Sequence, residues 1–245
     1  MSMRWEPPNR TQAPLKTKKM RTTDKPAFDR SVKARQAAFM LLWAGLVLLV
    51  IGIACLPIDR QMAHAIYEHE SATFEQFLER TTHWAKAAHW LVADVIILAT
   101  VQAGLTIWGE RADLRLVSNY ALAFLACLAA GSIILHGMKL IVGRRRPRDD
   151  MEMGLYGFVW FKFKLDYNSF PSGHALTIMC VAVIASCAWP QLALLWFAVA
   201  LWLGITRALL TAHFLSDVFI GAGIGLLAAR ETVLYLFAYI VPAWL

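Results

Sequence analysis

Apolar residues fall into six runs separated by polar segments, and these runs define the predicted architecture. They cover about 37–57, 87–108, 116–138, 175–189, 192–206 and 214–229. An apolar helix of about 20 residues crosses the hydrocarbon core of a bilayer, where open sheet edges would leave backbone groups without partners. The pattern therefore predicts an all-α fold, a bundle of six transmembrane helices.

Two of the segments between the runs carry structural signals of their own. Trp189-Pro190-Gln191 separates the fourth and fifth runs, and the proline predicts a tight turn between two antiparallel helices. Segment 58–86 mixes charged residues with apolar ones such as Ile66 and Phe74. This mixture favours an amphipathic helix between the first two spans, lying over the outer face.

Composition and charge exclude other classes of protein. Hydrophobic residues make up 58% of the chain and charged residues 17%, and the mean hydropathy of +0.50 is that of an integral membrane protein. Ten basic and three acidic residues lie in 1–36, whereas the rest of the chain carries 14 of each. This balance excludes a nucleic-acid-binding face. It predicts a flexible basic cytoplasmic tail (1–36) that can contact anionic lipid, a six-span domain (37–230) and an apolar extension (231–245).

The charge distribution also creates a conflict over topology. A basic N-terminal tail predicts a cytoplasmic N-terminus, which after three spans puts loop 139–173 on the outer side. That loop contains seven basic residues, which the positive-inside rule would place in the cytoplasm: Lys139, Arg144, Arg145, Arg146, Arg148, Lys162 and Lys164. Either the topology is inverted or these charges have a function. We expect the N-terminus inside, in a bacterial inner membrane, with the site on the periplasmic or outer face.

Three polar clusters lie next to the spans, where ionisable residues are usually functional. In the first, Lys139 and Arg146 are seven residues apart, two helical turns, and precede Pro147. The second is Pro171-Ser172-Gly173-His174, directly before the fourth span, where Ser172 can cap the helix and free amides can bind an anion.

The third cluster is Thr206-Arg207, followed after five residues by His213 and after three more by Asp217. The 31 residues between His174 and Thr206 form one helix inward and one outward, so all three clusters return to the same face. Cations, amides and a helix N-terminus together suit a phosphate. Of the two histidines, His213 can attack phosphorus if Asp217 holds its ring in the right tautomer, and His174 can protonate the leaving oxygen.

These clusters resemble the signature of the type 2 phosphatidic acid phosphatase family, which is related to bacterial acid phosphatases and vanadium haloperoxidases. The family pattern is Lys-x6-Arg-Pro, Pro-Ser-Gly-His and Ser-Arg-x5-His-x3-Asp, matched by Lys139–Pro147, Pro171–His174 and Thr206–Asp217. Thr206 replaces the usual serine and keeps a hydroxyl. The resemblance covers roughly 116–229, about half of the chain.

The resemblance implies a membrane-embedded lipid phosphatase that acts at the outer leaflet without metal or cofactor. It implies that His213 forms a phosphohistidine, that Asp217 supports it and that His174 protonates the leaving group. Five residues are implied to hold the phosphate: Lys139, Arg146, Ser172, Gly173 and Arg207.

Several further polar residues are weaker candidates. Arg144, Arg145 and Arg148 could steer an anionic head group or extend its site, and Thr206 could assist through its hydroxyl. Asp94, within the second span, could line the site, but we expect it to neutralise a cation as a structural partner. For His136 we likewise expect a position at the membrane interface.

The expected function is removal of a terminal phosphate from a lipid monoester or pyrophosphate. Candidate substrates are phosphatidic acid, phosphatidylglycerophosphate, undecaprenyl pyrophosphate and lipid A. A lipid-to-lipid phosphotransferase would use the same residues. The cationic cluster would also suit an anion-selective transporter, a vanadate-holding haloperoxidase or a non-catalytic lipid-binding protein. The sequence leaves the lipid and the oligomeric state open.

Overall fold

The computed structural model describes residues 25–69, 71–161 and 167–241 of the chain. Within these residues it contains nine α-helices and one two-stranded sheet. Their order is α1 (Lys25–Cys55), α2 (Asp59–His69), α3 (Ala72–Thr82), α4 (Ala87–Trp108), α5 (Ala112–Ile141), β1 (Val142–Arg144), α6 (Pro147–Met153), β2 (Phe158–Trp160), α7 (Gly173–Ala188), α8 (Ala193–Leu209) and α9 (Leu215–Leu236). Short 3₁₀ turns occupy His83–Ala85, Pro190–Leu192 and Ala238–Ile240.

Four helical stretches among the described residues are long and apolar enough to cross a membrane. They are Ala72–Trp108, Ala112–Ile141, Pro190–Leu209 and Leu215–Leu236. Phe39–Cys55 and Asp59–His69 meet at 81° and add a fifth if they are counted as one broken span. The apolar helix Gly173–Ala188 is shorter than these. The chain is therefore a mostly helical integral membrane protein.

Helix α7 forms the centre of the bundle. Nearly all of its side chains are buried, as expected of a helix that is apolar on every side. It packs against α5, α8 and α9, and α1 packs against the outer side of α9. Large apolar side chains of α1 and α4, such as Val50 and Ile96, remain exposed on the bundle's periphery, where lipid would cover them.

Glycine allows α7 and α9 to approach closely. A Cβ atom at Gly221 of α9 would overlap the carbonyl oxygen of Ser172, and one at Gly225 would lie 2.5 Å from the carbonyl oxygen of Leu176. Both obstacles are main-chain atoms, which cannot rotate away. The two glycines therefore set how deeply the start of α7 sits against α9, and this start carries the Pro-Ser-Gly-His cluster.

Three features differ from the sequence predictions. The fold is not purely α-helical, because β1 and β2 pair antiparallel with Val142 opposite Trp160. Segment 58–86 forms two helices and a 3₁₀ turn instead of one helix. The second of these helices, α3, is joined to α4 through the 3₁₀ turn, and together they form the long helical stretch Ala72–Trp108.

The outer boundaries also differ in detail. Helix α1 begins at Lys25, before the predicted start of the first span at 37, and α9 continues to Leu236, past the predicted end at 229. The rest of the basic tail, residues 1–24, and the end of the apolar extension, 242–245, lie outside the described residues. The predicted turn between the fourth and fifth spans is present as the 3₁₀ turn Pro190–Leu192.

Candidate active site

The three sequence clusters meet at one cavity of about 390 Å³ at the ends of α5, α7 and α8. Its wall contains six of the predicted site residues: Lys139, Arg146, Gly173, His174, Arg207 and His213. Among the described residues, no group of three or more His, Cys, Asp or Glu side chains is placed to hold a metal ion. The cavity is instead surrounded by cations and two histidines, which is the chemistry of an anion site.

His213 lies in the short loop between α8 and α9 and is almost fully buried. Its Nδ1 atom is 2.8 Å from the carbonyl oxygen of Ser169. A carbonyl can only accept, so Nδ1 carries the proton and donates it. The neutral ring therefore has its free lone pair on Nε2, the arrangement that a nucleophilic imidazole needs.

The role of Asp217 toward His213 is less direct than expected. Its Oδ2 atom lies 3.8 Å from Nδ1 of His213, beyond hydrogen-bond distance. Oδ2 instead accepts hydrogen bonds from the Ser169 hydroxyl at 2.6 Å and from the Phe214 backbone N–H at 3.0 Å. Asp217 thus acts on His213 through Ser169 and through the start of α9, which it caps.

The surroundings of His213 favour its neutral form. Burial lowers the pKa of His213, and the nearby cations Arg207 and Lys139 lower it further against the opposing effect of Asp217. The ring therefore stays neutral down to a lower pH than an exposed histidine ring does.

His174 ends the second cluster and lies in the first turn of α7. Its ring centroid is 6.5 Å from that of His213, with the ring planes inclined at 56°. Both rings line the cavity. The two rings are therefore close enough to contact one group bound in this cavity.

The cations around the cavity are held by few protein partners. Lys139 donates from Nζ to the carbonyl oxygen of Asn168 at 2.5 Å, and Arg146 donates to the Asn168 side-chain oxygen at 3.4 Å. Arg207 contacts the Thr82 hydroxyl at 3.4 Å, and its buried Nε has no hydrogen-bond partner within the described structure. These donors retain capacity for an anion.

Ser172 and Gly173 take different positions from each other. Gly173 lines the cavity, whereas Ser172 is not part of its wall. The expected side-chain cap by Ser172 is absent: it occupies the N-cap position of α7, but its buried hydroxyl has no partner among the described residues. Its backbone N–H donates to the carbonyl oxygen of Asp217 at 2.9 Å. Ser172 thereby ties the start of α7 to the start of α9.

The secondary candidates are not part of this cavity. The Thr206 hydroxyl is fully buried and donates to the Leu203 carbonyl within α8. Arg145 turns to Asp149 and Tyr167. Asp94 lines a separate cavity, and the cation partner expected for it is absent, since its Oδ2 has no partner in the part of the chain that is described.

His136, expected at the membrane interface, does line the site cavity. It lies one helical turn before Lys139 on α5, so both side chains project toward the same region.

Sequence reasoning missed a buried ion-pair network behind His213. Arg144, expected only to steer a head group, is completely buried. Its Nη1 donates to Asp217 Oδ1 at 2.7 Å and to the Ser216 hydroxyl at 2.8 Å, and its Nη2 donates to Asp59 Oδ2 at 2.8 Å. Asp59 in turn accepts from the backbone N–H of Ser216 at 3.0 Å and from its hydroxyl. The network joins α2, β1 and α9.

Aromatic rings complete the burial of Arg144. Its guanidinium carbon lies 3.9 Å from the ring centroid of Phe214 and 4.6 Å from that of Phe158, distances typical of cation–π contacts. Burial alone would lower the pKa of Arg144, but Asp217 and Asp59 raise it above its ordinary value. The side chain therefore stays charged and holds both carboxylates.

The network and the site together explain the presence of several basic residues in loop 139–173, which conflicted with the positive-inside rule. Lys139 and Arg146 line the cavity, and Arg144 is bound by buried carboxylates. Lys162 and Lys164 lie outside the described residues. One signal could have pointed to the network: Asp59 follows the first apolar run directly, at a position where an acidic residue needs a partner.

Comparison with known proteins gives a consistent family match. Residues 120–240 match the PAP2 superfamily. A lipid A 1-phosphatase of Rhizobium etli is 24% identical over 188 residues, which cover 76% of this chain and 81% of the relative. A lipid A 1-phosphatase of Rhizobium johnstonii is 34% identical over 88 residues, or 36% of each chain.

Two crystal structures share the fold. Aquifex aeolicus LpxE superimposes with a TM-score of 0.53 at 17% identity, over 73% of this chain and 96% of that one. The first transmembrane PAP2-type phosphatidylglycerolphosphate phosphatase from Bacillus subtilis gives 0.52 at 22% identity, over 80% of this chain and 93% of that one.

Proposed function

Since the chain belongs to the PAP2 superfamily through residues 120–240, we propose that it is a metal-independent membrane phosphatase that removes a terminal phosphate from a lipid. One observation carries the proposal: a single cavity is lined by Lys139, Arg146 and Arg207 together with His174 and His213. Three cations match the charge of a phosphate, and two histidines suffice for nucleophilic attack and proton transfer.

The reaction proceeds in two steps. Nε2 of His213 attacks phosphorus with its lone pair, and the bond from phosphorus to the lipid oxygen breaks. His174 enters this step as an imidazolium, which the bound phosphate dianion stabilises, and it gives its extra proton to the lipid oxygen and becomes neutral. Water then gives a proton to His174 and attacks the phosphohistidine, which releases inorganic phosphate and restores neutral His213. The hydrogen bond from Nδ1 of His213 to Ser169 supports this assignment because it leaves Nε2 free.

Electrostatic stabilisation comes from the groups around the cavity. In phosphoryl transfer, negative charge spreads over three equatorial oxygens, and positioned donors stabilise it. Lys139, Arg146 and Arg207 supply charged donors to these oxygens. Gly173 at the start of α7 adds the helix N-terminus, which favours anions, whereas Ser172 holds this N-terminus in place through its hydrogen bond to Asp217.

The names of the relatives favour one class among the four candidate substrates. Both curated relatives are lipid A 1-phosphatases, so we place a phosphorylated glycolipid of the lipid A type first, ahead of phosphatidylglycerophosphate, phosphatidic acid and undecaprenyl pyrophosphate.

The six apolar helical segments α1, α4, α5, α7, α8 and α9 serve as six spans. The basic N-terminus lies on the cytoplasmic side of a bacterial inner membrane, where it can contact anionic lipid. The site faces the periplasm.

The test is phosphate release by the detergent-purified full chain from a panel of the four lipids, with EDTA present throughout. Release from at least one lipid is expected for the wild type and its loss for His213→Ala. His89→Ala is the matched control, because His89 is an exposed histidine outside the site cavity. Retained turnover in His213→Ala, or a strict need for added metal, would contradict the proposal. Analysis of the lipid products separates transfer to water from transfer to a second lipid.

A further inference from the structure

A second cavity, of about 420 Å³, lies between α4, α5 and α7, farther from the site along these helices. Its volume falls within the range of about 300–1,000 Å³ found for ligand pockets. Apolar and aromatic side chains form most of its wall, including Phe124, Val181 and Ile184. Among the described residues of this wall, Asp94 of α4 supplies the one carboxyl group.

The second cavity and the site cavity lie along the same three helices, although none of the described residues lines both. Each helix contributes residues to the first cavity and, about one turn farther along, residues to the second. The pairs are Leu91 and Asp94 on α4, Leu128 and Phe124 on α5, and Thr177 and Val181 on α7. Along α4, Asp94 lies seven residues after Ala87 of the site cavity, which is about 10 Å at 1.5 Å per residue. A lipid whose phosphate occupies the first cavity would therefore extend its chain toward the second.

Asp94 has an unsatisfied polar atom at this position. The residue is only 6% exposed, and its Oδ2 atom has no hydrogen-bond partner among the residues that the structure describes. A buried carboxylate oxygen without a partner is unfavourable, so its persistence indicates a partner that arrives with a ligand. The Tyr120 hydroxyl, which is also in the wall, already donates to the Cys187 carbonyl at 3.2 Å.

The apolar wall restricts the chemistry of that partner. An ammonium group brings three N–H donors, and a wall with one carboxylate would leave some of them unsatisfied. An amide brings a carbonyl that also needs a donor. A hydroxyl brings a single donor, which one carboxylate oxygen satisfies.

We propose that the second cavity is a subsite for a lipid chain of the substrate and that Asp94 accepts a hydrogen bond from a hydroxyl group on that chain. This inference rests on the proposed lipid phosphatase activity and adds a specificity determinant to it. Asp94 touches the chain and not the phosphate, so it selects among lipids and takes no part in bond breaking.

The test compares two synthetic lipid phosphates that differ only by a hydroxyl near the head of one acyl chain. A hydrogen bond to a charged group is worth about 1.5–3 kcal/mol, so the wild type should prefer the hydroxylated lipid by about 10- to 100-fold in kcat/KM. Asp94→Leu should bring this ratio close to one, and Asp94→Asn, which keeps an accepting oxygen, should retain part of it. Because leucine suits an apolar cavity, Asp94→Leu is expected to fold.

Asp113→Asn is the matched control, since Asp113 is an exposed carboxylate at the start of α5 that pairs with Arg111. It should keep the wild-type preference. An active wild type without a preference, or an Asp94→Leu variant with the wild-type preference, would overturn the inference and leave the phosphatase assignment intact. Failure of the wild type to release phosphate from either lipid, or from the four-lipid panel above, would overturn both.

Discussion

Nδ1 of His213 and the carbonyl oxygen of Ser169 lie 2.8 Å apart, so the tautomer of the proposed nucleophile is set by a main-chain atom. A side-chain substitution at 169 leaves this hydrogen bond in place. The Ser169 hydroxyl has a separate function, because it donates to Asp217 Oδ2 at 2.6 Å.

Ser169→Ala should consequently keep most activity. We expect kcat/KM within about tenfold of the wild type and a loss of about 1–3 kcal/mol in stability, the cost of leaving a buried acceptor with one donor fewer. Phosphate release and thermal unfolding in detergent measure the two effects. A loss of activity as large as that of His213→Ala would show that the hydroxyl, and not the carbonyl, controls the nucleophile.

The Arg144 network should dominate the stability of the end of the bundle that carries the site cavity. Arg144→Met removes the positive charge between two buried carboxylates, Asp59 and Asp217, and breaking such a pair costs about 3–5 kcal/mol. Thermal unfolding should show a clear fall in Tm. The control variant Arg111→Met removes an exposed pair with Asp113 and should cost about 1 kcal/mol or less. Equal destabilisation by the two variants would argue against the network.

The pH dependence of kcat/KM should report the depressed pKa of His213. Attack requires the neutral ring, so activity falls as pH falls through this pKa. Because burial lowers the pKa below the ordinary value of 6.5, the midpoint of the acid limb should lie below pH 6.5. The limb is measured from initial rates of phosphate release.

A second variant separates the enzyme's titration from that of the substrate, whose phosphate has a pKa near 6. Lys139 is one of the cations that lower the pKa of His213, so Lys139→Met should move the acid limb of its residual activity to higher pH. If the acid limb lies at the same pH in the wild type and in Lys139→Met, the limb reports titration of the substrate instead of His213.

Close packing at Gly221 should matter for the site as well as for the fold. In Gly221→Ala, the new Cβ atom overlaps the carbonyl oxygen of Ser172, which must shift together with the start of α7. Overpacking of this kind costs about 1–3 kcal/mol, and activity should fall with it. Gly137→Ala on α5 is the control, because no atom lies within 4 Å of its added Cβ, and alanine should stabilise that helix by up to about 1 kcal/mol. Similar behaviour of the two variants, by thermal unfolding and phosphate release, would contradict this packing.

The meeting of the second and third clusters could be anticipated from helix geometry. The distance from His174 to Arg207 equals one helix inward and one outward. Lys139 and Arg146 also line the cavity, but not as two turns of one helix, because α5 ends at Ile141 and β1 lies between the two residues. For this pair the predicted place was right and the helix spacing behind it was wrong.

The contacts that reasoning from the sequence missed are long-range or involve the main chain. Arg144 and Asp59 are separated by 85 positions, and no periodicity connects a loop strand with the helix after the first span. The partner of His213 Nδ1 is a carbonyl, which every residue carries. The sequence also did not show that the Asp94 side chain lies on the side of α4 that meets α5 and α7. Helix α4 is apolar on most sides, so its sequence does not define this face.

The most direct measurement of the central claim is trapping of the phosphoenzyme. A lipid substrate labelled in its terminal phosphate is mixed with purified protein, quenched in alkali to preserve phosphohistidine, and the labelled peptide is identified by mass spectrometry. The account predicts label on His213 in the wild type, none in His213→Ala, and normal labelling in His89→Ala. Turnover without any labelled His213, or label on His174 instead, would contradict it.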